Sequence, residues 1–304
     1  MAQVHVVIVN YQTAGLLRQC LSHLCSSETA YPYTVTVVDN GSGDESAARV
    51  CADFPQVELL VAPRNLGFAG GNNLALQPLL GRLPAGAARE HEYVLLLNTD
   101  LFVAPDTLHV LTGFLERHPR VGIVGPRVNK RDGSLDLACR RSFPTPANAF
   151  YKLFGLARRF PHHPRFAAYN LTHRDPDELT EVDAVVGACM LVRVAAIDQA
   201  GLLDDRFFMY GEDLDWAYRI KARGWRVFYC PFTRVLHYKG ATSARQSGRM
   251  IVEFYRAMYL FHRKHYAPCL ARPVNWMVTG GIVARGSLAL TTNAFRPAEK
   301  KRVA

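Results

Sequence analysis

The first 128 residues alternate between two kinds of segment, and that alternation limits the fold more than any other feature. "VHVVIVNY" (4–11), "TVTVVDN" (34–40), "VELLVAP" (57–63), "EYVLLLNTD" (92–100) and "VGIVGPRV" (121–128) are short β-branched apolar runs. Between them lie "AGLLRQCLSHL", "DESAARVCADF", "GGNNLALQPLL" and "PDTLHVLTGFLERH", with apolar residues at helical spacing. Continuously apolar strands separated by helices predict a mainly parallel sheet covered on both faces, an α/β fold. Ligands of such sheets collect beyond the C-terminal strand ends. Polar tips stand there: Asn10-Tyr11, Asp39-Asn40 and Asn98-Thr99-Asp100. Asn and Asp also favour turns and helix caps, so one tip alone decides little. Three such tips together favour a shared site.

The second half changes character. "KRDGSLDLACRR" predicts a hairpin turning at Asp132-Gly133. Residues 144–181, rich in Pro, His and Arg, read as an excursion. "VDAVVGACMLVRV" and "WRVFYCP" read as strands, and "DLDWAYRIKARG" as a helix stopped by Gly224. A long helix over 245–266 is followed by an apolar segment with spaced arginines, 268–293, and a tail, "RPAEKKRVA", expected to be disordered.

The formal net charge of +10 suggests a polyanionic partner. The basic residues are scattered, with no zinc-finger or helix-turn-helix pattern, so nucleic acid is set aside. Seven cysteines without a C-x-x-C pair read as reduced, buried thiols of a cytosolic protein. No apolar run reaches the ~18 residues of a membrane span, and the N-terminus lacks a signal-peptide pattern.

"FFMYGEDLDW" (207–216) sets Glu212, Asp213 and Asp215 among aromatic residues. Acids at a helix start gain from the macrodipole, which accounts for Asp213 or Asp215 but not for the preceding aromatic run. With "VVDNGSGDES", "NLGFAGGNN", "LLLNTD", "GACMLVR" and "HYKGATS", in this order over roughly residues 4–245, the chain resembles the family 2 inverting glycosyltransferases of GT-A fold, in their bacterial rhamnosyltransferase-like branch.

The resemblance implies a Rossmann-like nucleotide-sugar-binding half (1–128), an acceptor and catalytic half (129–245), and a C-terminal helical extension with a basic tail (246–304). It implies a dTDP- or UDP-sugar donor, with rhamnose the first guess for the sugar. Asp39 would accept the base imide, with Asn10, Tyr11, Asn40, Asn98 and Thr99 in the same pocket. Arg64, Asn65, Gly71 and Asn72 would lie near the diphosphate. "NTD" stands where the family carries D-x-D, so Asp100 and His237 would hold Mg²⁺ or Mn²⁺. Asp213 would be the general base, its pKa raised by apolar neighbours, and Glu212 would position the acceptor or the loop. Asp215 would cap or orient. Gly187, Tyr210 and Trp216 would face the acceptor, and Arg140-Arg141 could meet an acceptor diphosphate or be a solvated strand end. The acceptor would be a glycan or a polyprenyl-diphosphate-linked sugar of cell-surface polysaccharide synthesis. The enzyme would be cytoplasmic, resting on the anionic inner face of the plasma membrane, although residues 268–293 read equally as a helix packed on the domain. Two other readings stay open: a non-catalytic nucleotide-sugar-binding subunit, and a nucleotidyltransferase. The second usually carries a Gly-rich, Lys-containing loop after its first strand, which "VNYQTAGLL" lacks.

Overall fold

The computed structural model describes residues 2–83, 86–238 and 247–296. The tail expected to be disordered lies almost wholly outside the described residues, as does all of "KGATS".

The predicted alternation forms one half of a nine-stranded sheet. β1 (Gln3–Asn10), β2 (Tyr33–Asp39), β3 (Glu58–Val61) and β4 (Glu92–Asn98) are mutually parallel, in the order β3-β2-β1-β4. α1 (Ala14–Cys25), α2 (Ser46–Asp53) and α3 (Gly67–Arg82) connect them. Leu17, Cys20, Leu21 and Leu24 of α1 are buried, as their spacing predicts. The β1 burial pattern is nearly unbroken, as expected of a strand covered on both faces.

Beyond β4 the sheet becomes mixed. A two-residue strand, β5 (Leu101–Phe102), leads into α4 (Thr107–Arg117) and β6 (Val121–Lys130). The chain turns at Gly133, where Lys130 N–H bonds the Ser134 carbonyl, as the Asp-Gly signal predicts. The excursion holds α5 (Pro146–Leu153), α6 (Leu156–Arg159) and β7 (Thr180–Glu181). β8 (Cys189–Arg193) inserts antiparallel between β4 and β6. It is shorter than the predicted run: the chain bends at Gly187, and Ala184 bridges Arg141 instead. α7 (Val194–Ala200) and α8 (Glu212–Ala222) precede β9 (Arg226–His237), which runs parallel to β6 and pairs with β5 and β7. α9 (Ser247–Phe261) and α10 (Arg272–Ala294) close the chain.

All seven cysteines are free. Cys20, Cys139, Cys189 and Cys230 are buried, whereas Cys25, Cys51 and Cys269 are exposed, which corrects the expectation that all are buried.

Candidate active site

Parallel register aligns the strand ends expected to meet the donor. Asn10 stands opposite Asp39, and Asn98 opposite Val9, so three strand ends present polar side chains in a row. Asn10 donates to Asp39 Oδ1 at 3.4 Å and to Ser42 Oγ at 3.0 Å, and accepts from Thr13 at 2.7 Å. Thr13 in turn meets the Thr99 hydroxyl at 2.9 Å. Asp39 Oδ2 takes no hydrogen bond from a described residue, which leaves an acceptor lone pair for a ligand. Tyr11 is partly exposed beside these residues, and Arg64 is exposed with no acidic partner among the described residues.

Four residues expected at the donor serve the scaffold instead. Asn40 is fully used: its amide donates to the Gly67 carbonyl and Asn65 Oδ1, and its oxygen accepts from Leu66 N–H. Asn65 also caps Gly67 N–H at 2.8 Å. Asn72 donates to Phe68 O one turn back and is buried. A Cβ on Gly71 would come within 2.7 Å of Val9 Cγ1, so this glycine lets α3 approach β1. The Gly-rich stretch thus builds a latch and a close helix–sheet contact.

That latch joins the acidic motif. Phe68 N–H donates to the Phe208 carbonyl at 2.8 Å, and any Cβ at Gly67, whose φ is +76°, would run into the same oxygen. Tyr210 and Gly211 both adopt positive φ, +70° and +81°. Such a conformation is strained for tyrosine, and it turns the chain sharply into α8.

The three acids then diverge. Asp213 Oδ2 accepts from Arg141 Nη2 at 2.6 Å and from Gly187 N–H at 3.0 Å, and Oδ1 accepts from Leu214 N–H at 2.7 Å. Gly187 is therefore a partner of the carboxylate, and an added Cβ would stand 3.1 Å from Asp213 Cβ. Glu212 lies buried, with Oε2 unpartnered among the described residues. Burial, and then the Asp213 charge, push its carboxyl up to about 8. Asp213, by contrast, faces the Arg141 guanidinium. Burial also disfavours the Asp215 charge, but His265, Lys264 and Arg219 outweigh it and hold this carboxyl below its ordinary range. Their distances to Asp215 are 2.7, 2.7 and 2.8 Å. Asp215 thus ties α8 to the turn after α9, an orienting role.

Trp216 is corrected outright. It is wholly buried and donates to the Gly201 carbonyl, so it offers no wall to an acceptor. Tyr210 is half-buried against Phe254 of α9. Arg140 is also buried, spending its guanidinium on the Asp175 and Arg174 carbonyls, so neither it nor Arg141 is a solvated strand end.

His237 ends β9 beside β5, with Nε2 3.4 Å from Asp100 Oδ1. Its Nδ1 lies 3.2 Å from Asp136 Oδ2, a buried carboxylate the motifs did not single out. Among the described residues no three His, Cys, Asp or Glu side chains form a ready metal cage. The donor set still fits a divalent cation: an oxygen and an imidazole nitrogen converge, and a second carboxylate on the far ring nitrogen would fix the tautomer.

A mixed α/β sheet with polar strand ends, latched to a buried acidic turn through Phe68 and Phe208, is the arrangement expected of a GT-A-type sugar transferase. The chain matches the model "Glycosyltransferase like family 2" over residues 2–253, and it belongs to that family. It is 29% identical to the N-acetylglucosaminyl-diphospho-decaprenol L-rhamnosyltransferase of Mycobacterium tuberculosis, covering 97% of this chain and 95% of the relative. To the rhamnosyltransferase WbbL of Escherichia coli it is 23% identical, covering 88% and 93%. Among solved structures it is similar to S. aureus TarS 1–349 (TM-score 0.53, 15% identity, 96% of this chain and 74% of that one). It is also similar to GalNAc-T7 with UDP, GalNAc and Mn²⁺ (TM-score 0.58, 12% identity, 100% and 58%). At these identities the structural likeness concerns the fold. The protein is a family 2 glycosyltransferase.

Proposed function

We propose that the enzyme transfers a sugar, with rhamnose the first candidate, from a nucleoside-diphosphate donor to a hydroxyl of a polyprenyl-diphosphate-linked sugar, with inversion. The observation that carries this reading is the junction of Gly67-Phe68 with Phe208. It locks the donor-side loop to the turn that presents Asp213, so donor and base share one rigid frame. The mycobacterial relative's name supplies the sugar and acceptor class, and its near full-length match supports their transfer to this chain.

In this reading Asp39 accepts the base imide and Arg64 pairs with the diphosphate. Asp100 and His237 would hold Mg²⁺ or Mn²⁺, which neutralises charge on the leaving diphosphate when bound. Asp213, oriented by Arg141 and Gly187 N–H, takes the proton from the acceptor hydroxyl as its oxygen attacks the anomeric carbon. Arg141 is committed to that carboxylate, so it is a positioning residue rather than a diphosphate ligand. Glu212 keeps its proton below pH about 8 and can donate a hydrogen bond to the acceptor or the loop.

The same reading places the enzyme peripherally on an anionic membrane. Among the described residues no helix is long and apolar enough to cross one. α10 instead exposes Trp276, Met277, Val283 and Leu288, with Phe295 just past its end. At 100° per residue these lie on one face, and Arg285 lies off it.

The test is a transfer assay with a panel of dTDP- and UDP-sugars and a diphosphate-linked GlcNAc lipid, with Mn²⁺, Mg²⁺ or excess chelator. Inverted product from a dTDP-rhamnose donor is expected, and chelator should abolish it. Consumption of a sugar phosphate with a nucleoside triphosphate, or donor binding without transfer across the panel, would overturn the reading.

A further inference from the structure

A cavity of about 510 Å³ opens between α9 and α10, lined by Tyr259, Arg263, Arg272, Asn275, Trp276 and Thr279. It is separate from the acidic site. Asn275 builds its floor: its oxygen meets His262 Nε2 at 2.9 Å, and its amide donates to the Ala267 and Leu270 carbonyls. These bonds fix the start of α10 against the turn after α9. Two guanidiniums therefore face one cavity on a held frame. Among the described residues neither Arg263 nor Arg272 has an acidic partner, whereas neighbouring Lys264 is paired with Asp204 and Asp215. Both guanidiniums are exposed at the cavity and offer planar donor forks to an anion.

The aromatic lining narrows the ligand. Trp276 and Tyr259 are exposed large side chains at the rim, 73% and 38% accessible. Trp276 also belongs to the apolar exposed face of α10. Indole and phenol rings suit the boundary between headgroups and acyl chains, and arginine forks suit phosphate. The cavity thus has anion-binding groups beside an apolar face, in the order a lipid phosphate and its tails require.

We propose that this cavity is a headgroup site for an anionic phospholipid, its phosphate held by Arg263 and Arg272. The proposal rests on the membrane reading above and adds a specific lipid contact to it. The site adjoins Lys264 and His265, which anchor the catalytic helix through Asp215, so the bound lipid sits one residue from the link to the acidic site.

The test is flotation of the full-length protein with vesicles of phosphatidylcholine alone or mixed with phosphatidylglycerol. Arg263→Lys/Arg272→Lys keeps the net charge but removes the planar forks, and Arg285→Gln/Arg296→Gln removes two charges outside the cavity. The proposal expects the lysine pair to lose phosphatidylglycerol binding about tenfold and the glutamine pair to lose about threefold or less. Neither should change the melting temperature. Wild-type binding by the lysine pair, with loss in the glutamine pair, would overturn the headgroup site and leave diffuse membrane attraction standing. No vesicle binding by the wild type, or concentration-dependent dimerisation abolished by Trp276→Ser, would overturn both. Glycerol phosphate serves as the free-anion arm. Protection of Trp276 fluorescence by it at micromolar concentration, without vesicle binding, would reassign the cavity to a soluble phosphate and overturn the lipid.

Discussion

The donor side and the acidic side of the site are held by different physics. Asn10, Asp39, Thr13 and Thr99 are joined by hydrogen bonds from uncharged donors among the strand ends and the turns that follow them. The acids are held by charges from distant segments: Arg141 for Asp213, and Lys264 and His265 for Asp215. Parallel register sets Asn10 opposite Asp39 and Asn98 opposite Val9. The acidic side needs the Arg141 segment, α8 and the turn after α9 brought together. The donor side should therefore tolerate neutral substitutions, whereas the acidic side should respond to charge.

The largest effect expected from this contrast is on stability. Asp215→Ala strands Arg219, Lys264 and His265 around a buried gap, and breaking a buried pair typically costs about 3–5 kcal/mol. Urea unfolding should show it, while Asp39→Ala should be far milder. Equal losses would erase the contrast. Asp39→Ala should instead weaken donor affinity by about 10–100-fold, since a hydrogen bond involving a charged group contributes roughly 1.5–3 kcal/mol. Calorimetric titration with the donor checks this, and unchanged affinity would remove Asp39 from the base pocket. A tenfold or greater loss of Mn²⁺ affinity is expected for Asp136→Asn, as for other partners behind a ligating imidazole. Equilibrium dialysis without substrate reads it, and wild-type affinity would make Asp136 a packing residue.

The smallest effect concerns Glu212. Its folded carboxyl is raised above its ordinary value of 4.5 to about 8, so between these values the folded state holds more protons than the unfolded state. Wild-type stability should therefore fall as pH rises through this window, relative to Glu212→Gln, and run parallel to it outside. Parallel melting curves throughout would mean that Glu212 is not buried as described.

What was legible in the sequence follows the same division. The β-branched runs and their polar ends located β1 to β4 and Asp39 because those contacts obey local periodicity and register. The short β5 and β7 carried too few residues to show a period. Asp136 and Arg141 gained their roles from partners 101 and 72 positions away, which no local pattern encodes. Trp216 was placed at the acceptor because it adjoins the acids in sequence. On α8 it shares the buried side with Ala217 and Ile220, and that helix face decides its role. Asn40, Asn65, Asn72 and Gly71 matched a ligand-binding motif, yet their side chains and close contacts build the loop that the motif describes.

The account turns on Asp213 as the proton acceptor, and one paired measurement addresses it: transfer rate and donor affinity of Asp213→Asn beside Asp215→Asn. Both substitutions remove a buried charge partner, so both lower stability, and rates are taken per folded molecule. The account predicts that Asp213→Asn binds donor within about threefold of wild type but transfers 10²–10⁴-fold more slowly, the usual magnitude for a lost general base. Asp215→Asn should retain most of the transfer rate of its folded fraction. Near wild-type transfer by folded Asp213→Asn would contradict the mechanism and leave the Arg141 pair as architecture.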